Sequence, residues 1–64
     1  MFLVTNVSRT KNNDGFDAYK VTGYLSSIYV KGTETSYYTE DAELPEGIEI
    51  GNVVRFGTTS KGYI

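Results

Sequence analysis

The stretch Asn12-Asn13-Asp14-Gly15, set between two runs rich in Val, Thr, Tyr and Phe, constrains the fold of this chain more than any other feature. Asn-Asp-Gly favours a type I turn followed by a left-handed glycine, the chemistry of a three-residue hairpin loop. Closing the loop over Asn13–Gly15 sets Asn12 opposite Phe16. Lys11 then faces Asp17, Arg9 faces Tyr19 and Val7 faces Val21. Continued without interruption, the ladder brings Leu3 to Leu25. The odd-numbered face is apolar on both strands, and a slip of one residue would turn it to water. The even-numbered face carries Phe16, Lys20, Thr22 and Tyr24 opposite Asn12, Ser8, Asn6 and Val4. It is polar, with aromatic side chains interleaved.

The rest of the chain keeps the β pattern. No window sustains apolar residues at helical spacing, and Pro45 limits any helix in 38–47 to a single turn. A second strand is expected over about 16–31, with Gly23 and Ser26-Ser27 as places to bulge or bend. A third follows at Ser36–Thr39, a fourth at 53–57 and a last, clipped one at Lys61–Ile64. A long, kinked second strand can serve two sheets, as small closed barrels require. The expected fold is therefore all-β, one domain over 1–64: a small five-stranded OB-like barrel. An SH3-like barrel and a hairpin-built β dimer are the alternatives.

Sixty-four residues bury a small share of their surface on folding. Scaffolds of this size are commonly held by disulfides, a metal or a partner subunit. The chain has no Cys and no His, which excludes disulfides and thiolate or imidazole metal sites. A homodimer is the expected remedy. The lack of Cys also fits a reducing compartment, the cytoplasm. Met1–Thr10 is too short and polar for the apolar core of a signal peptide, and no stretch approaches a membrane span. Asn6-Val7-Ser8 matches a glycosylation acceptor and, without a secretory signal, is read as chance.

The net charge of −2 argues by itself against an electrostatic nucleic-acid binder, but the charges are segregated. In residues 1–33 Arg9, Lys11, Lys20 and Lys31 outnumber Asp14 and Asp17. Residues 34–49 hold Glu34, Glu40, Asp41, Glu43, Glu46 and Glu49 with no base, and Arg55 and Lys61 follow. The acidic run lacks the alternating ligands and central glycine of an EF-hand loop. It reads as a solvated face, and segment 40–49 is also a candidate dock for a basic protein partner.

Enzymatic chemistry has little to work with. Ser and Thr lack the His that usually activates them, and no glycine cluster cradles a phosphate ahead of a helix. A non-enzyme without a cofactor is expected. Six Tyr and three Phe without Trp can fill the core and rims of a tiny barrel. Alternatively, some are platforms for unpaired bases, each worth about 1–3 kcal/mol. Phe16 and Tyr24 share a face with Lys20, and of the adjacent Tyr37 and Tyr38 only one can point inward. At the hairpin, Arg9, Lys11 and Lys20 can pair with phosphates or simply keep a sheet edge soluble.

Two segments carry a resemblance. Gly47–Phe56, "GIEIGNVVRF", resembles the apolar-x-apolar-Gly-Asn-x-Val segment common in small β-barrels. The long, basic-tipped hairpin 2–25 ahead of it resembles the small single-stranded-DNA-binding proteins of phages. That resemblance implies an OB-like barrel that dimerises and works in the cytoplasm of a viral host cell. It also implies binding of single-stranded DNA or RNA with low sequence preference. Bases would stack on Phe16, Tyr24 and Tyr37, and phosphates would lie along Arg9, Lys11, Lys20, Lys31 and Arg55. The competing expectation is a viral module that captures a protein through its acidic face or a sheet edge.

Overall fold

The computed structural model describes residues 1–25 and 33–64. Among them, four strands form one antiparallel sheet curled into a half-barrel. They are β1 (Phe2–Lys11), β2 (Asp17–Leu25), β3 (Thr33–Tyr38) and β4 (Val53–Val54), ordered β3-β2-β1-β4. No helix occurs among the described residues. Around Glu46-Gly47 the chain makes a turn instead, with Ile48 N–H donating to Pro45 O at 3.3 Å.

The hairpin closes as its turn chemistry dictates. Gly15 takes φ +83°, where glycine meets no Cβ penalty. Its N–H donates to Asn12 O at 2.9 Å, and Asn12 N–H donates to Phe16 O at 2.9 Å. The ladder then pairs Lys11 with Asp17, Arg9 with Tyr19 and Val7 with Val21. Beyond Asn6 it slips at Thr5, so Val4 faces Gly23, Leu3 faces Tyr24 and Phe2 faces Leu25. The expected Leu3–Leu25 pair does not form. One extra residue in β1 reverses the in–out alternation of everything before it.

That reversal decides the core. Phe2, Val4, Val21 and Ile48 are buried together, with Val7, Tyr37, Leu44, Val54, Phe56 and Ile64 packed against them. Val4, placed on the polar face by an uninterrupted ladder, lies inside, and Leu3 is partly exposed. Full burial of a ring such as Phe2 stabilises by about 1.5–3 kcal/mol over leaving it in water. Phe2, Tyr37 and Phe56 meet edge to face, with centroids 4.9–5.5 Å apart. Gly23 sits where the Phe2 ring and the Leu3 carbonyl leave no room for a Cβ.

The connector from β3 to β4 returns over this core face and inserts Leu44 and Ile48. Gly51 N–H donates to Val4 O at 2.8 Å, and Val4 N–H donates to Asn52 O at 3.0 Å. β4 then pairs with β1 through Phe2–Val54 and Leu3–Val53. The fourth strand is shorter than 53–57 because only these two pairs form. The expected last strand is reduced to one parallel bridge between Tyr38 and Tyr63. The expected extension of strand two to residue 31 lies outside the described residues.

A polar anchor holds the hairpin to the rest. Asn12, only 6% exposed, donates through Nδ2 to Thr39 O at 3.2 Å and Glu40 O at 2.7 Å. Its Oδ1 accepts from Asp14 N at 3.0 Å and Phe16 N at 3.2 Å. The buried Thr39 accepts from Tyr19 N at 2.8 Å, and Tyr63 Oη accepts from Asp14 N at 3.2 Å. Buried polar atoms find partners throughout the described residues.

Candidate nucleic-acid interface

Ladder partners project from the same side of a sheet, and successive residues from opposite sides. Opposite the core, β2 therefore presents Lys20, Thr22 and Tyr24, while Ala18, on the same side nearer the hairpin tip, is fully buried. β3 adds Tyr38, Ser36 and Glu34 beside them, and β1 adds Ser8, Asn6 and Leu3. Val53 extends the row beyond Leu3. Tyr38 stands directly across the ladder from Lys20, and Tyr24 lies four residues, about 13 Å, along β2 from it. Thr22 Oγ1 and Ser36 Oγ share a hydrogen bond at 3.0 Å between the two ends. The face thus offers two aromatic rings, a cation beside one of them, and hydroxyls between.

The acidic connector crosses the other side of the sheet. Leu44 and Ile48 pack on the face that holds Phe2, Val4 and Val21. The exposed Glu43, Glu46 and Glu49 flank these two residues in the segment that crosses the core side, whereas Glu40 follows Tyr38 by two residues and its carbonyl meets Asn12 at the hairpin. Glu34, opposite Tyr24, is the one carboxylate that the described ladder places on the Lys20 face.

The eight residues singled out from the sequence divide among several places. Lys20 and Tyr24 share the open face. Phe16 stands at the hairpin tip, 64% exposed and outside β2. Arg9 lies over the ring of Tyr19 at 5.1 Å, a cation–π contact on the side away from Lys20. Lys11 pairs with Asp17 at 3.2 Å, as the turn-derived register requires. Tyr37 faces Val21 and packs in the core, where it lines a cavity together with Arg55. Lys31 lies outside the described residues.

The residue that sequence reasoning passed over is Tyr38. Of the Tyr37-Tyr38 pair, the fold turns Tyr37 toward the core and Tyr38 toward Lys20. The pairing of Tyr37 with Val21 is the signal, and it requires knowing the β2–β3 register. No helix long and apolar enough to cross a membrane is present among the described residues.

Together these features make a small all-β protein, a curled antiparallel half-barrel sheet packed on one face around Phe2, Val4 and Val21, with Lys20, Thr22 and Tyr24 on the other. Comparison with protein-family models, with curated proteins and with solved structures finds no match for this chain.

Proposed function

We propose that the protein is a non-enzymatic module that binds single-stranded nucleic acid, DNA or RNA, with low sequence preference across its open β2–β3 face. Tyr24 and Tyr38 act as stacking platforms, each contributing about 1–3 kcal/mol, and Lys20 holds a phosphate between them. Arg9 adds longer-range attraction within a Debye length of about 8–10 Å, whereas the charge of Lys11 is offset by Asp17. The observation that carries this reading is the position of Lys20, opposite Tyr38 on the sheet face away from the one on which Leu44 and Ile48 of the acidic connector pack. Segregation of that kind lets an acidic protein present a locally favourable surface to an anion.

The barrel belongs to the same proposal. An OB barrel is a five-stranded Greek key that binds across its second and third strands. In this chain β4 lies beside β1, and Tyr63 runs parallel to β3 at Tyr38. A fifth strand at Lys61–Ile64 would then fall between β3 and β4 and close the sheet. A second copy would stabilise so short a chain further, as a homodimer.

Titration with oligo-dT, followed by tyrosine fluorescence at low and moderate salt, tests the reading. Quenching that saturates and weakens as salt rises is expected. No quenching at either salt would end it. A second reading has its own observation: Glu43, Glu46 and Glu49 are exposed and make no ion pair among the described residues. These acids suit a basic protein partner, and affinity for immobilised basic proteins without any dT signal would favour that alternative.

A further inference from the structure

On the core side of the sheet, at the end where β1 meets β4, lies an open cavity of about 320 Å³. It is lined by Met1, Phe2, Leu25, Tyr37, Val54 and Phe56, and Arg55 is the one charged side chain of the lining. Arg55 is exposed and makes no ion pair among the described residues. Residues 26–32 contain no acid that could supply one. The cavity therefore offers ring and hydrocarbon surface, polar surface in at least equal share, and an uncommitted guanidinium, which forms its strongest bonds with carboxylate or phosphate oxygens.

We infer that this cavity is a binding site for a small amphipathic anion, an apolar body carrying one carboxylate, with Arg55 on the carboxylate. The volume sets the size. At roughly 30 Å³ for each non-hydrogen atom, the share of one water molecule in the liquid, about ten such atoms fill it. A medium-chain fatty acid of the length of octanoate meets that figure. The three rings supply rigid walls, because Phe2, Tyr37 and Phe56 already hold one another edge to face. The site is on the opposite side of the sheet from Lys20, so it is independent of the nucleic-acid proposal and is occupied without displacing oligo-dT.

The test uses octanoate and 1-octanol, equal in chain length and different in charge, titrated into the full chain by calorimetry and by amide NMR shifts. Octanoate is expected to saturate at one per chain, with shifts centred on Phe2, Val54 and Phe56. It should bind about tenfold tighter than octanol, the effect of one charge-assisted contact of about 1.4 kcal/mol. Arg55→Ala, an exposed substitution that leaves the core intact, should bring octanoate down to the octanol affinity. Arg55→Lys should keep most of the preference. The inference is overturned by absence of saturable octanoate binding, by shifts centred away from the cavity, or by a preference for octanoate that survives Arg55→Ala.

Discussion

Leu3 stands opposite Tyr24, with Val4 beside it turned into the core against Gly23. The pairing follows from the extra residue at Thr5, and it makes Val4, not Leu3, the residue whose methyl groups stabilise the fold. Val4→Ala is expected to cost about 2–3 kcal/mol, near the lower end for large-to-small core changes. Leu3→Ala should stay within about 0.5 kcal/mol, the range of ordinary surface substitutions. Urea denaturation of the two variants checks the bulge directly, because an uninterrupted ladder would reverse the order.

Gly23→Ala tests the other side of the same arrangement. An added Cβ would run into the Leu3 carbonyl and lie 2.7 Å from the Phe2 ring, so the β1–β2 pair must spread. The expected loss is about 3 kcal/mol, at the upper end of ordinary overpacking. At roughly 0.05–0.15 kcal/mol per residue, that is a large part of the stability of such a chain. A melting temperature unchanged by the substitution would show that the ring is not seated there.

The hairpin tip separates buried from exposed polar contacts. Asn12→Ala removes the partner of two carbonyls and two N–H groups, with an expected cost of about 2–4 kcal/mol from several unsatisfied or rewatered groups. Lys11→Ala breaks an ion pair whose side chains are 70% and 65% exposed, and should change stability by no more than about 0.5 kcal/mol. Chemical denaturation of both variants decides whether Asn12 is the residue that ties the hairpin to Thr39 and Glu40.

For nucleic-acid binding, Tyr24→Ala and Tyr38→Ala should each weaken oligo-dT by about 1–3 kcal/mol at fixed salt. Lys20→Ala should also flatten the salt dependence, by close to the 0.7 of a logarithmic unit expected for one phosphate contact on a single strand. Tyr37→Phe keeps the core ring and should leave affinity unchanged, since Tyr37 faces Val21. Binding that falls with Tyr37→Phe and not with Tyr38→Ala would move the site to the core side.

The hairpin, the strand content and the charge blocks were all legible from neighbours in the chain. Asn-Asp-Gly chemistry is local, and it carries the register correctly from Asn12–Phe16 as far as Val7–Val21. Lys11–Asp17 follows from that register alone. The ladder went astray only past Asn6, because the bulge at Thr5 answers contacts that no local pattern contains. Gly51 and Asn52 hydrogen-bond to Val4 from almost fifty residues away, and Val54 pairs with Phe2.

The candidate site divides in the same way. Lys20 and Tyr24 lie on one side of a single strand by simple alternation, so their shared face follows from the local pattern alone. Which of Tyr37 and Tyr38 joins them, and on which side Leu44 and Ile48 of the acidic segment pack, depends on how the strands assemble. The physical reason is that a strand's alternation fixes relative orientation but not which side meets the core. That choice waits on the burial of Ile48 and Leu44 against Phe2, Val4 and Val21, which turns Tyr37 inward and leaves Lys20 facing out.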